Sequence, residues 1–447
     1  MHSAEFESFF ANLSDSFSNS SDFTIKNYVI RNTEVRLCFL SSLVDFRKTN
    51  EYLTRIGSLM AEADSVMEKL ALHGGGQENV PYRDAVSALS KGKLLVVSDP
   101  ENYVLLDPPQ VPVERNIQTS LSENMIQASF DAFTENIDTN IGILRSKIAS
   151  SNLVIDTFGV GSVNPRQMAV VYYRGIIKNE IVDNVLGRLK NNHRREIRNV
   201  QDLCRILGHK WWNVIPTSVS TEIPAETVEY LTEGRILLFM DNFPFALVIP
   251  AIVSDIWCIK SDANFPVIFM ASIRIVRMIG LLVSTVAPGL YVALVAVNPE
   301  ALRIQLALAV ARSREGVPYP AVIEIILMLL ILEMIVEASV RLPKSIGPTI
   351  TMVGGIILGE AVVQAKLVSN LLIITLAATT IANFTVSGIT HMLMIRLMKY
   401  VVLVLSAIFG ILGLIGSLQL IGCYMAAITT MSIPYLSIKL KEAERYE

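Results

Sequence analysis

The residues with most capacity for chemistry lie inside an apolar stretch. Glu333, Glu337 and Arg341 step by four near the end of residues 321–341, so on a helix they form one stripe. A charged side chain at mid-bilayer costs about 2.5–3.5 kcal/mol on insertion scales, so such residues face a bundle interior or a watery path. Two chemistries fit the stripe. It could line a cation pathway, within one subunit or around an oligomer axis. It could equally be an interhelical salt bridge, or a pair snorkelling toward the interface. Spacing alone does not choose between them. Glu324 lies nine residues before Glu333, about 180° around a helix, and so falls off the stripe. Glu360 and Gln364, another i, i+4 pair, are a second pathway candidate. Pro288-Gly289 implies a kink and Gly354-Gly355 a close helix contact.

No signature of catalysis accompanies these acids. The glycines at 74–76 lack the Gly-Lys-Ser/Thr of a phosphate loop, and Gly159-Val160-Gly161 has no third glycine opening a helix. The five histidines are not grouped as ligands, and Cys38, Cys204, Cys258 and Cys423 have no metal-type spacing. A non-enzymatic protein without cofactor or metal is expected. The net charge of −3 argues against a nucleic-acid partner.

The elements that position the acids divide the chain in two. Residues 1–235 carry 53 charged side chains and residues 236–447 carry 26. The first 24 residues, rich in Ser, Asn and Asp, read as a mobile tail without a signal peptide. Residues 25–110 read as an α/β unit. Val35, Leu37 and Phe39 alternate as in a strand, a helix starts from Asn50 as N-cap, and a strand pair lies at 93–97 and 103–107. Residues 111–250 read as a second α/β unit. It has a helix at about 125–148, strands at 153–158 and 168–173, helices near 178–191 and 196–207, and a hairpin turning at Asp241-Asn242. Residues 251–277 read as an interfacial linker helix.

The bilayer is expected to begin near Met278. The runs 278–299, 345–359, 367–395 and 400–438 hold no charge, and about 20 apolar residues make a span. With 321–340, this gives five or six spans in a transmembrane domain over 278–438, the last run breaking near Gly413–Ser417. Arg274, Arg277, Arg341, Lys344, Arg396 and Lys399 then fall on the side of the N-terminal half. The positive-inside rule makes that side cytoplasmic, with residues 439–447 as a cytoplasmic tail. Arg303, Arg312 and Arg314 conflict with this scheme unless 301–314 is an interfacial or re-entrant amphipathic helix.

Several segments, in order, resemble the A subunits of GerA-type spore germination receptors (the GerABKA family). Arg314-Glu315-Gly316-Val317-Pro318-Tyr319-Pro320 is similar to that family's REGVPFP. Leu290–Leu294, Glu337–Arg341 with Leu342-Pro343, Val353–Gly355, Ala361–Ser369 and Ile433-Pro434-Tyr435-Leu436 continue the match. In the N-terminal half, Ala132–Asn136, Thr221-Glu222 with Pro224, and Glu233-Gly234-Arg235 agree more loosely. The sequence departs from the family at Gln127–Ser129, Ile223, Asn298, Leu329 and Val336. The resemblance implies a two-part cytoplasmic domain and a membrane bundle in the spore inner membrane. It further implies a transporter-like B subunit and a lipoprotein C subunit as partners, nutrient sensing, and assembly into a homo-oligomeric cation channel. That tilts Glu333, Glu337, Arg341 and Glu360 toward a pathway role. A stand-alone paralogue acting in spore ion release, and a single-chain secondary transporter, are the alternatives.

Overall fold

The computed structural model describes the chain except for residues 1, 18–19, 31–32, 60–65, 75, 79, 101, 112–130, 343–346, 439 and 441–447. The first part of the expected 125–148 helix, Pro343-Lys344, and all of the expected tail but Leu440 lie outside the described residues.

The first unit contains α1 (His2–Ser16), β1 (Phe23–Ile30), β2 (Thr33–Leu40), α2 (Phe46–Leu59), α3 (Val66–Gly74), β3 (Gln77–Glu78), α4 (Tyr82–Ser90), β4 (Leu94–Asp99) and β5 (Asn102–Leu106). Its antiparallel sheet has the order β1-β2-β4-β5-β3. Both faces of β4 are covered. Leu94 and Val96 join one buried cluster, Leu95 and Val97 the other, so the strand is a continuous apolar run.

The second unit contains α5 (Ile137–Lys147), β6 (Leu153–Val160), β7 (Arg166–Tyr173), α6 (Asn179–Asn191), α7 (Val200–Ile206), β8 (Val219–Thr221), α8 (Pro224–Thr232), β9 (Ile236–Met240) and β10 (Ala246–Ile249). Its sheet order is β6-β7-β9-β10-β8, again antiparallel. Element for element this repeats the first unit: a helix, a strand pair, two helices, an edge strand, a helix and a second strand pair. Gly92 (φ +86°) before β4 and Gly234 (φ +83°) before β9 occupy equivalent left-handed positions, where a Cβ would be strained. The units meet at a buried ion pair: Arg145 Nη2 and Nε donate to the two Asp22 carboxylate oxygens at 2.8 and 2.9 Å. Burial pushes the Asp22 carboxyl up. The Arg145 guanidinium, with hydrogen bonds from it and from Ser20 and Ser42, outweighs that and holds it below the usual carboxylate range.

Several expectations are corrected here. The N-terminal segment is no loose tail: α1 buries Phe10 and Leu13, and Phe17 follows, fully buried against the sheet. Helical spacing of three apolar side chains outweighs a Ser- and Asn-rich composition. The next helix starts at Phe46, not Asn50, because the Asp45 carboxylate accepts from the Arg47 and Lys48 N–H groups at 3.1 and 3.2 Å. The hairpin pairs Leu238 with Leu247. Its loop therefore runs 241–245, since Pro244 has no N–H for the ladder. The segment 251–277 is not one helix. Two 3-10 turns, Val253–Ile256 and Lys260–Asn264, lead to Pro266, and a long helix begins there.

That helix, α9 (Val267–Val292), runs unbroken through Pro288 and Gly289 into a π turn at Ala293–Val297. It begins eleven residues before Met278. After it come α10 (Ile304–Ser313), α11 (Ala321–Arg341), α12 (Gly347–Gln364), α13 (Asn370–Asn383), α14 (Ile389–Ala426) and a small pairing of Thr429–Thr430 with Ile433–Pro434. Among the described residues, two segments, Val267–Val297 and Ile389–Ala426, are long and apolar enough to cross a membrane. The charge-free run 367–395 is not one helix. α13 stops at Asn383, Ser387 donates to the Asp255 and Ile256 carbonyls at 2.6 and 2.9 Å, and Gly388 (φ +76°) opens α14. α14 itself reverses at Gly410 (φ +59°, ψ −135°), three residues before the expected break. A Cβ on Gly413 would collide with the Leu405 carbonyl of the first arm.

Candidate functional site

The acids of α11 do not share one environment. Glu333 faces the bundle: its carboxylate lies 3.1 Å from Arg396 Nη1 and 3.4 Å from Lys399 Nζ, and the Tyr400 hydroxyl donates to it at 3.3 Å. Glu333, Arg396 and Lys399 line a small polar hollow together with Thr379, Thr380 and Asn383. Arg396 and Lys399, expected to flank a span, therefore lie inside the first arm of α14. A counter-charge on the neighbouring helix makes burial of a cation tolerable there. Glu337 and Arg341 pair only with each other among the described residues, at 2.7 Å, and are largely exposed. Glu360 accepts from Gln364 Nε2 at 3.0 Å on an exposed face. The structure thus brings Glu333 together with two cations and leaves Glu337, Arg341 and Glu360 on the outside of the chain.

Glu324, set aside by the stripe argument, is the most buried acid of the bundle at 1% exposure. It accepts from the Ser369 N–H, and Arg314 Nε lies 3.5 Å away. The Tyr291 and Ser369 hydroxyls bond at 3.0 Å, so this end of the bundle ties α9, α11 and α13 together. The signal was present in the sequence: Glu324 stands in the first turn of its helix, ten residues after Arg314. Acids are favoured at that position.

Pro288-Gly289, expected to kink the helix, lies inside an unbroken α9, and Gly289 instead makes a close contact. A Cβ there would sit 2.8 Å from both Ser406 Oγ and Val402 Cγ1. Nothing described lies within 4 Å of a Cβ on Gly354 or Gly355. Among the described residues the contact expected of that pair is not formed.

Sequence reasoning missed a buried junction between the second α/β unit and the helices. Arg235 Nη1 and Nη2 donate to Asp255 at 2.8 and 2.9 Å, with both side chains almost wholly buried. Asp255 also accepts from the Ile252 N–H at 2.9 Å, and its carbonyl receives Ser387. Lys93, the equivalent of Arg235 in the first unit, makes among the described residues only a partly exposed pair with Asp107. Arg277 and Arg274 close the junction on Asp262 at 2.5 and 3.6 Å. Val253 N–H donates to the Tyr435 carbonyl at 2.7 Å. Nearby, Glu226 of α8 has one carboxylate oxygen buried without a hydrogen-bond partner among the described residues. Burial pushes its carboxyl up, more than hydrogen bonds from Thr221 and the Ser261 backbone pull it down.

A duplicated α/β domain clamped by buried ion pairs onto an apolar helical bundle, with two segments long and apolar enough to cross a membrane, defines a membrane-type protein. The model of the Bacillus/Clostridium GerA spore germination protein family matches residues 11–444, and the chain belongs to that family. Spore germination protein KA of Bacillus subtilis (strain 168) is 29% identical over 430 residues, covering 94% of this chain and 79% of that protein. Spore germination protein B1 of the same organism is 31% identical over 324 residues, covering 72% and 67%. Spore germination protein GerLA of Bacillus cereus is 25% identical over 429 residues, covering 94% and 87%. Among solved structures, the N-terminal domain of the A subunit of the Bacillus megaterium spore germinant receptor GerK3 is similar. It has 24% identity and a TM-score of 0.41, over 54% of this chain and 93% of that one.

Proposed function

We propose that this chain is the A subunit of a nutrient germinant receptor in the spore inner membrane, acting without catalysis beside a transporter-like B subunit and a lipoprotein C subunit. The observation that carries this reading is the family match over residues 11–444, to relatives named as spore germination proteins. Support for six crossings comes from the contacts of the long helices. α9 leaves the domain at Pro266, Asn298 beyond its far end accepts from Ile411 N–H at the Gly410 reversal, and both arms of α14 supply side chains to the cluster around Tyr435. In that arrangement Arg274, Arg277 and Arg341 lie on the domain side, which favours a cytoplasmic domain.

The finer reading is an oligomeric cation channel. Its support is the polar hollow at Glu333 and the outward-facing Glu337, Arg341 and Glu360, which a second copy could meet. Glu333→Gln and Glu337→Gln are expected to slow cation release and germination in spores that accumulate the protein normally. Unchanged release and rate with normal accumulation would remove the pathway role, and a strictly monomeric chain in gentle detergent and in membranes would remove the oligomer.

A further inference from the structure

The loop after α7 presents two side chains that no part of the fold uses. Gly208 (φ +101°) turns the chain outward, and Lys210, Trp211 and Trp212 follow. Trp211 is 77% exposed and Trp212 58%. Their rings meet edge to face at 5.5 Å, and the Lys210 ammonium lies 5.7 Å from the Trp212 ring. Indoles are large apolar bodies with one N–H, and two exposed side by side mark a surface that meets something. Arg205 and His209 complete the patch. Arg205 also reaches Asp202 at 3.6 Å. Burial holds the His209 imidazole below its usual value, so the positive charge here comes from Arg205 and Lys210.

The next residues decide what the patch faces. Val214 N–H donates to the Tyr424 hydroxyl at 3.1 Å, and fully buried Ile215 joins the cluster that contains Met394, Ile428 and Tyr435. Tyr424 stands in the last turn of α14. The indoles are therefore stitched to the end of an apolar helix, at the depth where that helix leaves the hydrocarbon. Trp and Tyr are favoured at this depth because the ring sits among acyl chains and headgroups while its polar atom stays wet. Lys and Arg beside an anionic lipid surface are attracted to it.

We propose that the Trp211–Trp212 loop is a bilayer anchor. Its indoles insert at headgroup level, and Arg205 and Lys210 face anionic lipid phosphates, holding the second α/β unit against the membrane. The anchor rests on the reading of α14 as membrane-spanning.

The full chain, reconstituted in vesicles of phosphatidylcholine alone or mixed with phosphatidylglycerol, tests this. The emission of the loop is the difference between the intact chain and the Trp211→Phe/Trp212→Phe variant. Both side chains are exposed, so the change leaves the core intact, and Trp257 is the common background. The expected result is loop emission shielded from aqueous acrylamide and quenched by lipids brominated near the headgroup, more strongly with phosphatidylglycerol. Arg205→Gln/Lys210→Gln should abolish the phosphatidylglycerol-dependent part. Loop emission open to acrylamide in both vesicles overturns the anchor and leaves the loop to a protein partner. Equal shielding in both overturns the anionic preference. A chain that does not float with either vesicle overturns the membrane-spanning reading of α14 as well.

Discussion

Asp255→Asn tests the junction most directly. It removes the charge partner of Arg235, whose side chain is 1% exposed, while the Asn oxygen can still accept from the Ile252 N–H. Breaking a buried pair from one side costs about 3–5 kcal/mol, because the remaining charge is left in a low-dielectric interior. Glu233 stays 3.2 Å from Arg235 but is 40% exposed, so the lower end, about 3 kcal/mol, is expected. For a unit of this size each kcal/mol moves the melting point by about 2–4 °C, giving a fall of about 6–12 °C. Replacing both partners, Arg235→Met with Asp255→Asn, should recover part of it, since the double variant leaves no unpaired charge in the interior. The assay is the thermal transition of the full chain in detergent, in the Trp211→Phe/Trp212→Phe background so that the emission reports Trp257, two residues beyond Asp255. A single variant melting within about 2 °C of the parent would refute the reasoning. So would a double variant no more stable than the single.

Other outcomes follow from the same structure. Glu226 has a raised carboxyl in the folded chain, so its contribution is present below the ordinary value of 4.5 and lost as pH rises through the folded value. Glu226→Gln should therefore match the parent in acid and melt at higher temperature as pH rises toward neutrality; a constant difference across that range would contradict the assignment. Gly410→Ala places a Cβ against Asn298 Oδ1 in a backbone region open only to glycine. Such strain costs about 1–3 kcal/mol before the collision is counted, so the variant should accumulate poorly in membranes, and normal accumulation would show that α14 need not reverse there.

Much of the α/β half was legible because its signals are local. β2 alternates, β4 and β5 are apolar runs around Asp99-Pro100, and the glycine-basic pairs Gly92-Lys93 and Gly234-Arg235 each precede a buried strand. That recurrence did not by itself mark a duplication; only the common strand order made it plain. The α1 helix was hidden by averaging composition over its polar face.

The sequence by itself determined the division into a charged half and an apolar half, the family, and the presence of acids within the apolar helices. Those follow from composition and from periodicity along one element. Only the tertiary structure decided which acid meets which cation. Glu333 meets Arg396 and Lys399 across 63 and 66 residues of chain, Glu324 meets Ser369, and Arg235 meets Asp255. Charge-free runs treat every charge as the end of a span. Once a partner on the neighbouring helix offsets the cost of desolvation, a charge can sit inside one, and that partner is set by packing rather than by distance along the chain.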